Sequence, residues 1–277
     1  DVSYSLIAAA VRKIKKEVYY YVKEYAPLRH LPGEAQVDMG FCEFVENGIK
    51  YDGCYVVMSF PYSNMAFCQL FKGRNTHSVL QGIKNIFEYI GGVPHEITID
   101  NDSTLVRIVG TKKTKRIEND LFLRFKNHYD FKVRYCQKRA ANEKGHVEGK
   151  VGYLRRNLFV PVPQIDNLDE YNKYLLEQCM IIHDRKHSRA ESKITEMFIE
   201  ETDALLSMPE QKFEVVTCCE RVVDKAGRVK FQNSRIYYLK PDYALRKVKV
   251  KYDYKQIYFY NNNDELIVRL DRLYGKD

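Results

Sequence analysis

The sequence predicts an α/β chain: a mixed five-stranded sheet flanked by helices, followed by a helical connector and a small all-β barrel. Three observations carry that expectation. Residues 35–71 read as strands folded about Asn47-Gly48, a strong hairpin signal. Apolar residues recur at helical steps over 76–90 and again from 142 to 158. Beyond Pro161-Val162-Pro163 the texture changes, to helix over 168–206 and then to short strands and turns over 213–270.

In chain order, Leu6, Ala10, Ile14, Val18 and Val22 mark a first helix over 3–25, which Pro27 and Leu31-Pro32-Gly33 end. Residues 35–39 and 41–45 are β-like, Ile49–Phe60 returns antiparallel, and Met65–Phe71 supplies a third strand. Thr76 is the expected N-cap of a helix with Val79, Leu80, Ile83, Phe87 and Ile90 on its apolar face, closed by Gly91-Gly92. A short strand over Glu96–Ile99 delivers Asp100 at its C-terminal end. A helix is expected around 119–128, a last strand over 132–136, and an amphipathic helix from Asn142 with Val147, Val151, Leu154 and Leu158 inward.

Three strands in hairpin order, then helix, strand, helix, strand and helix, is the element order of the ribonuclease-H-like fold. The expected division is a leading helix and linker over 1–30, a ribonuclease-H-like core over 31–162, a helical linker over 163–210 and a small β-barrel over 211–277. The barrel is read from the alternation Lys247-Val248-Lys249-Val250-Lys251 and the turn at 261–264.

The net charge of +8 is localised. Between Arg107 and Arg156 stand 15 Lys or Arg against 5 Asp or Glu, leaving 30 against 32 elsewhere. A concentrated basic segment releases counterions from a polyanion, so nucleic acid is the expected partner; the plainer alternative is a solvated lysine-rich loop. Seven scattered cysteines without a CxxC pair predict reduced thiols, with neither zinc ribbon nor disulfide framework. No apolar run approaches the roughly 18 residues of a membrane span, and a cytoplasmic, nucleoid-associated location is expected. The chain opens on Asp1 inside a helical pattern, from which a fragment of a longer protein is expected. No P-loop, GxGxxG, nucleophile elbow or HExxH motif is present, and no nucleotide cofactor is expected.

Moving a phosphodiester bond requires an activated oxygen nucleophile, a stabilised leaving oxygen and neutralised charge at phosphorus. Two Mg²⁺ ions about 3.5–4 Å apart supply all three when carboxylates hold them. Asp38 sits in the apolar strand Gln36-Val37-Asp38-Met39, where a lone carboxylate would be expensive to bury. Asp100 ends the strand Ile97-Thr98-Ile99, and the two strands are neighbours if the fold is right. Glu148 lies on the following basic helix, off its apolar stripe. Asp102 and Glu143 stand close enough that spacing does not exclude them. Gly145, Gly149 and Gly152 on that helix imply close approach by DNA or by the sheet. His183 and His187, at i and i+4, could share a metal but lack a carboxylate or cysteine partner, so DNA contact or packing is the expected role.

Gly33-Glu34-Ala35-Gln36-Val37-Asp38, Asp100-Asn101 and Asn142-Glu143-Lys144-Gly145-His146-Val147-Glu148 resemble the three catalytic blocks of the IstA-type transposases, a two-gene insertion-sequence family in the retroviral-integrase superfamily. Residues 151–161, 185–187 and 196–201 resemble the same family, and the third block is the most specific. The resemblance implies that Asp38, Asp100 and Glu148 form a DDE triad holding two Mg²⁺ ions, with Mn²⁺ a workable substitute. The 48 positions between Asp100 and Glu148 fit an insertion before the last strand. Met39 stands where the family usually has Trp, a change in packing and not in a ligand.

The activity so implied is cleavage at transposon ends followed by 3′-hydroxyl strand transfer into target DNA. Lys112, Lys113, Lys115, Arg116, Lys138, Arg139, Lys144, Arg155 and Arg156 are the expected phosphate contacts, and His146 is placed to meet DNA or the reacting phosphate. The resemblance further implies an AAA+ ATPase partner of the IstB type and a homo-oligomer on paired DNA ends. Two rivals remain: a ribonuclease-H-like nuclease that does not join DNA, and a non-catalytic DNA-binding or assembly module.

Overall fold

The computed structural model describes residues 4–18, 30–99, 104–109, 115–135, 141–188, 190–232 and 235–274, with the backbone alone at 15–18, 107–109, 115–116 and 141–148. Strands β1 (Glu34–Glu46), β2 (Ile49–Phe60) and β3 (Met65–Phe71) form an antiparallel meander. Asn47 and Gly48 both take positive φ, as a tight hairpin turn requires. Helix α2 (Thr76–Ile90) then leads to β4 (Glu96–Ile99), which pairs parallel with β1. A hairpin of β5 (Val106–Val109) and β6 (Lys115–Glu118) precedes α3 (Asp120–Tyr129) and β7 (Lys132–Tyr135), which pairs parallel with β4. The sheet order is β3-β2-β1-β4-β7, the mixed ribonuclease-H-like arrangement the sequence predicts. Two residues, β8 (Gln164–Ile165), add a short parallel pairing to the far end of β1.

Both faces of this sheet are covered, which is why β2 and β3 are apolar almost throughout. One face carries α2 and α3: Gly82 of α2 sits so close to Val56 and Phe71 that a Cβ there would meet them at 3.0–3.1 Å. The other carries α4 (Ala141–Leu158) and α5 (Leu168–His183). Asn172 of α5 closes the β3 edge by imitating a strand. Its Oδ1 accepts from the Leu70 amide at 2.6 Å, and its Nδ2 donates to the Leu70 carbonyl at 2.9 Å.

Several local details differ from the sequence reading. The N-cap of α2 is Asn75, whose side chain accepts from the Ser78 amide, while the Thr76 hydroxyl donates to the Thr104 carbonyl at 2.7 Å. Asn at N-cap satisfies the same orphan amides that Thr would. The first helix is α1 (Tyr4–Val18), and its expected continuation lies outside the described residues. The expected helical stretch after Pro163 is two helices, α5 and α6 (Ile194–Asp203).

Helix α6 anchors the start of β1 through Glu201, which is fully buried. Its carboxylate accepts from the Gly33 amide at 2.6 Å, the Ser63 amide at 3.0 Å and the Ser63 hydroxyl at 3.1 Å. Burial raises its pKa, and these three donors oppose the rise. Gly33, at φ +81°, is required there: a Cβ would fall 2.9 Å from the Ala204 carbonyl oxygen.

After α6 the chain builds a second apolar core around Val223, Val229, Val250, Ile257 and Phe259. Its frame is a four-stranded antiparallel sheet in the order β14 (Leu266–Asp271), β13 (Gln256–Tyr260), β12 (Lys247–Tyr252), β9 (Thr217–Val222). A two-stranded ribbon, β10 (Arg228–Lys230) with β11 (Ile236–Tyr238), completes it. No strand pairing among the described residues joins ribbon to sheet. This unit packs on the first through His77, whose Nε2 lies 2.9 Å from the Thr217 hydroxyl, and through Tyr254, which donates to Asp169 at 2.9 Å. No helix among the described residues is long and apolar enough to cross a membrane.

Candidate active site

Asp38 lies midway along β1, half-buried, with its Oδ1 accepting from the Met39 amide at 2.8 Å. Strand alternation puts Asp38, Gly40 and Cys42 on one face. Gly40 pairs with Tyr55 of β2, and the Tyr55 ring occupies the space a side chain at Gly40 would need: an added Cβ would fall 2.1 Å from Cζ. The fully buried ring packs 4.6 Å from that of Phe159, and its hydroxyl donates to the Val151 carbonyl of α4 at 3.0 Å. Tyr55 thus lies flat on β1 and ties α4 to the face that carries Asp38. Val151 stands three residues, nearly one helical turn, beyond Glu148.

The parallel pairing of β1 with β4 ends with Val37 opposite Ile99. Asp38 follows Val37, and Asp100 follows Ile99 in the chain. Asp100 and Asp102 lie outside the described residues, and at Glu148 and Glu143 the backbone alone is described, so the three carboxyl groups are not brought together on described atoms. Lys112, Lys113, Lys138 and Arg139 also lie outside them. Lys115 and Arg116 fall on β6, and Lys144 and His146 on α4, as backbone only.

Arg155 and Arg156 are exposed on the last turn of α4. Burial pushes the Cys42 thiol up to about 12 against the opposing charge of Arg155, which therefore acts on the Asp38 face. Elsewhere in the basic segment, Arg124 pairs with Asp120, Lys126 with Glu118 and Arg134 with Glu96. These three cations support the scaffold. No group of three His, Cys, Asp or Glu able to hold a metal occurs among the described residues.

Sequence reasoning missed Lys150, although position 150 falls inside the apolar stripe of α4. Its ammonium is buried, donates to the Asn64 carbonyl and lies 3.2 Å from His183 Nε2, whose Nδ1 is 2.7 Å from the Cys179 carbonyl. Burial, aided by Arg185, lowers Lys150 to about 7. His183 is therefore a packing residue that joins α4 to α5, the expected alternative to metal binding. Tyr55 gave no signal of its own, but Gly40 did: a glycine inside a strand marks a close approach. The glycines of α4 behave differently. An added Cβ at Gly149 would meet nothing within 4 Å, and at Gly152 only Arg156 at 3.4 Å, so the sheet does not explain either.

Two buried histidines are expected to make the fold sensitive to acid. Burial lowers His77 to about 3, aided by Arg272, and lowers His183 to about 3, aided by Lys150. Both stay neutral in the folded chain where the unfolded chain takes up protons, so their contribution is complete above about pH 6.5 and is lost as pH falls towards 3. Urea unfolding between pH 6 and 4 is expected to lose up to about 1.4 kcal/mol per pH unit for each histidine. A His183→Gln variant should show a shallower acid limb than the unsubstituted chain.

No protein-family model matches the chain. The chain is 25% identical over 261 residues to the transposase for insertion sequences IS1326/IS1353 of Pseudomonas aeruginosa, covering 90% of this chain and 50% of that protein. It is 24% identical over 205 residues to the transposase for insertion sequence element IS21 of Pseudomonas aeruginosa, covering 74% and 50%. With the putative transposase for IS5376 of Geobacillus stearothermophilus it shares 25% over 225 residues, covering 80% and 54%. Its relatives are thus transposases of IS21 and other insertion sequences, and the chain spans about half the length of the curated relatives it matches. Among solved structures, a chain of the simian T-cell lymphotropic virus intasome matches with TM-score 0.42 and 12% identity, covering 88% of this chain and 78% of that one. The magnesium-bound HTLV-2 integrase catalytic core matches with TM-score 0.38 and 16% identity, covering 61% and 97%.

Proposed function

We propose that this chain carries the catalytic core of a DDE-type DNA transposase, cutting at transposon ends and joining the freed 3′-hydroxyls to target DNA. The observation that carries the reading is the register of β1 on β4. Asp38 and Asp100 are the next residues after an aligned pair, while α4, bearing Glu148, is tied over the same face of β1 by Tyr55. Transposase relatives aligned over most of the chain point the same way.

The donor set fits a pair of hard cations. Three carboxylates are oxygen ligands of the kind Mg²⁺ and Mn²⁺ prefer. Cys42 of β1 and Cys68 of β3, on the Asp38 face, are held protonated by burial and offer no competing thiolate. Two such ions, when bound, supply activation of the attacking oxygen, charge neutralisation at phosphorus and stabilisation of the leaving oxygen. Asp38 and Asp100 would share them, and Glu148 would complete the second position. Lys144, His146, Arg155 and Arg156 on α4, with Lys112, Lys113, Lys115, Arg116, Lys138 and Arg139, would hold backbone phosphates and set the register of the duplex. In cleavage, water attacks phosphorus and the 3′ oxygen leaves with a proton. In joining, that 3′-hydroxyl attacks a target phosphodiester in line and displaces the target's own 3′ oxygen, with no covalent protein intermediate.

An AAA+ ATPase of the IstB type as partner, and a homo-oligomer on paired ends, belong to the same reading. Incubating the chain with pre-cut end oligonucleotides, Mg²⁺ and a target plasmid tests it. Joined product is expected; cleavage without joining favours the nuclease, and neither product, when the full-length protein is used, favours a non-catalytic module.

A further inference from the structure

Far from Asp38, a cleft of about 200 Å³ opens between β3–α2 and the C-terminal β unit. Lys72, Arg74, Arg235 and Arg272 line it, with Asp52 the one acidic residue of the lining. Arg272 is the telling member. Its side chain is nine-tenths buried, and its hydrogen bonds run to neutral oxygens: the Asp253 carbonyl at 2.6 Å, Gln232 Oε1 at 2.9 Å and Asn75 Oδ1 at 3.4 Å. The rings of Tyr252 and Tyr274, 5.4 and 5.6 Å away, add only a partial counterweight. No carboxylate pairs with Arg272 among the described residues. A buried guanidinium without a counter-charge is costly, and an anion entering the cleft would relieve that cost. Its charge is felt nearby, since it helps to depress His77.

We propose that this cleft is a second phosphate-binding site, taking a backbone phosphodiester of bound nucleic acid. The ligand must be an anion with several acceptor oxygens, because guanidinium forks and an ammonium converge on it. The guanidinium groups of Arg74, Arg235 and Arg272 line the cleft together with the Lys72 ammonium, which pairs with Glu46 at 2.5 Å. Arg74 also lies over the exposed ring of Phe41, 5.7 Å away, on the β1 strand that carries Asp38. Asp52 pairs with Glu43, five positions along β1 from Asp38. At about 3.3 Å per residue Glu43 stands roughly 17 Å along β1 from Asp38, on the opposite face of the strand. The assignment of the phosphate to DNA rests on the function proposed above; the anion site itself does not.

The test compares the chain with its Arg74→Gln/Arg235→Gln double variant, which leaves the buried Arg272 network intact. Duplex oligonucleotide binding is measured across a salt series, and the melting temperature is measured with inorganic phosphate against chloride at equal ionic strength. The expected result is DNA binding weaker by about tenfold near 0.1 M salt, with a log–log salt slope smaller by about 2. Unchanged DNA binding with loss of phosphate-induced stabilisation would assign the cleft to free phosphate and overturn the nucleic-acid source. No change in either measurement overturns the site. Asp38→Asn separates the two proposals: it should abolish catalysis and leave the salt slope of the cleft unaltered.

Discussion

Glu148→Gln is expected to abolish both cutting and joining, by about a thousandfold or more, while the chain keeps its melting temperature. The substitution keeps size and hydrogen-bonding capacity and removes one negative charge. A two-metal centre stabilises the transition state by several kcal/mol, and about 4 kcal/mol corresponds to a thousandfold in rate. Asp38→Asn should do the same, because it keeps the size of the half-buried side chain on β1 and removes the charge that a hard cation needs. The discriminating readout is metal dependence. Mn²⁺ titration should stabilise the unsubstituted chain against heat and leave both variants unmoved. A Glu148→Gln chain that still joined DNA would remove Glu148 from the site and point to Glu143.

Gly40→Ala is the second large effect, at a residue that touches neither metal nor DNA in the proposed site. The new methyl group would overlap the Tyr55 ring, which is fully buried with Phe159 behind it and has nowhere to swing. Overpacking of this kind costs about 1–3 kcal/mol. The greater consequence is geometric, since moving Tyr55 breaks its bond to Val151 and shifts α4 relative to β1. A displacement on the order of 1 Å at the carboxylates is expected to lower strand transfer about a hundredfold. Tyr55→Leu in the same chain removes the clash, so the double variant should be less destabilised than the two single changes together. Additive losses would show that Tyr55 does not transmit the effect.

The sheet was legible because its signals are local. Asn47-Gly48 fixed a hairpin register, the apolar runs of β2 and β3 announced burial on both faces, and Gly91 ended α2 in the left-handed conformation. The β5–β6 hairpin was not legible: its strands are four residues long and three of the four residues of β6 are charged, so neither alternation nor composition marks the pair. Asn172 and Glu201 were invisible for a different reason. Each looks like an ordinary polar residue on a helix, and each acts on backbone more than 100 positions away. At the site, Asp38 and the ends of its neighbours followed from strand order, and Gly40 carried a readable hint. Lys150 carried a fainter one, its place in the apolar stripe of α4, masked because a lysine in a basic stretch reads as solvated until the fold buries it.

The Arg272 cleft shows the same limit. Gln232, Asn75 and Asp253 come from separate parts of the chain, and nothing in their local sequence links them to Arg272. Only the packing of the β unit on the first core creates the buried charge. The basic segment from 107 to 156 drew attention by composition alone, whereas the cations of the cleft are scattered through the sequence.

The central claim is that Asp38, Asp100 and Glu148 together hold two divalent ions. A crystal of the chain soaked in Mn²⁺ tests it directly through anomalous scattering. Two manganese peaks about 3.5–4 Å apart, with these three carboxylates as their protein ligands, is the expected result. Manganese bound without Asp38 or Glu148, or with Asp102 or Glu143 in place of the proposed ligands, would contradict it.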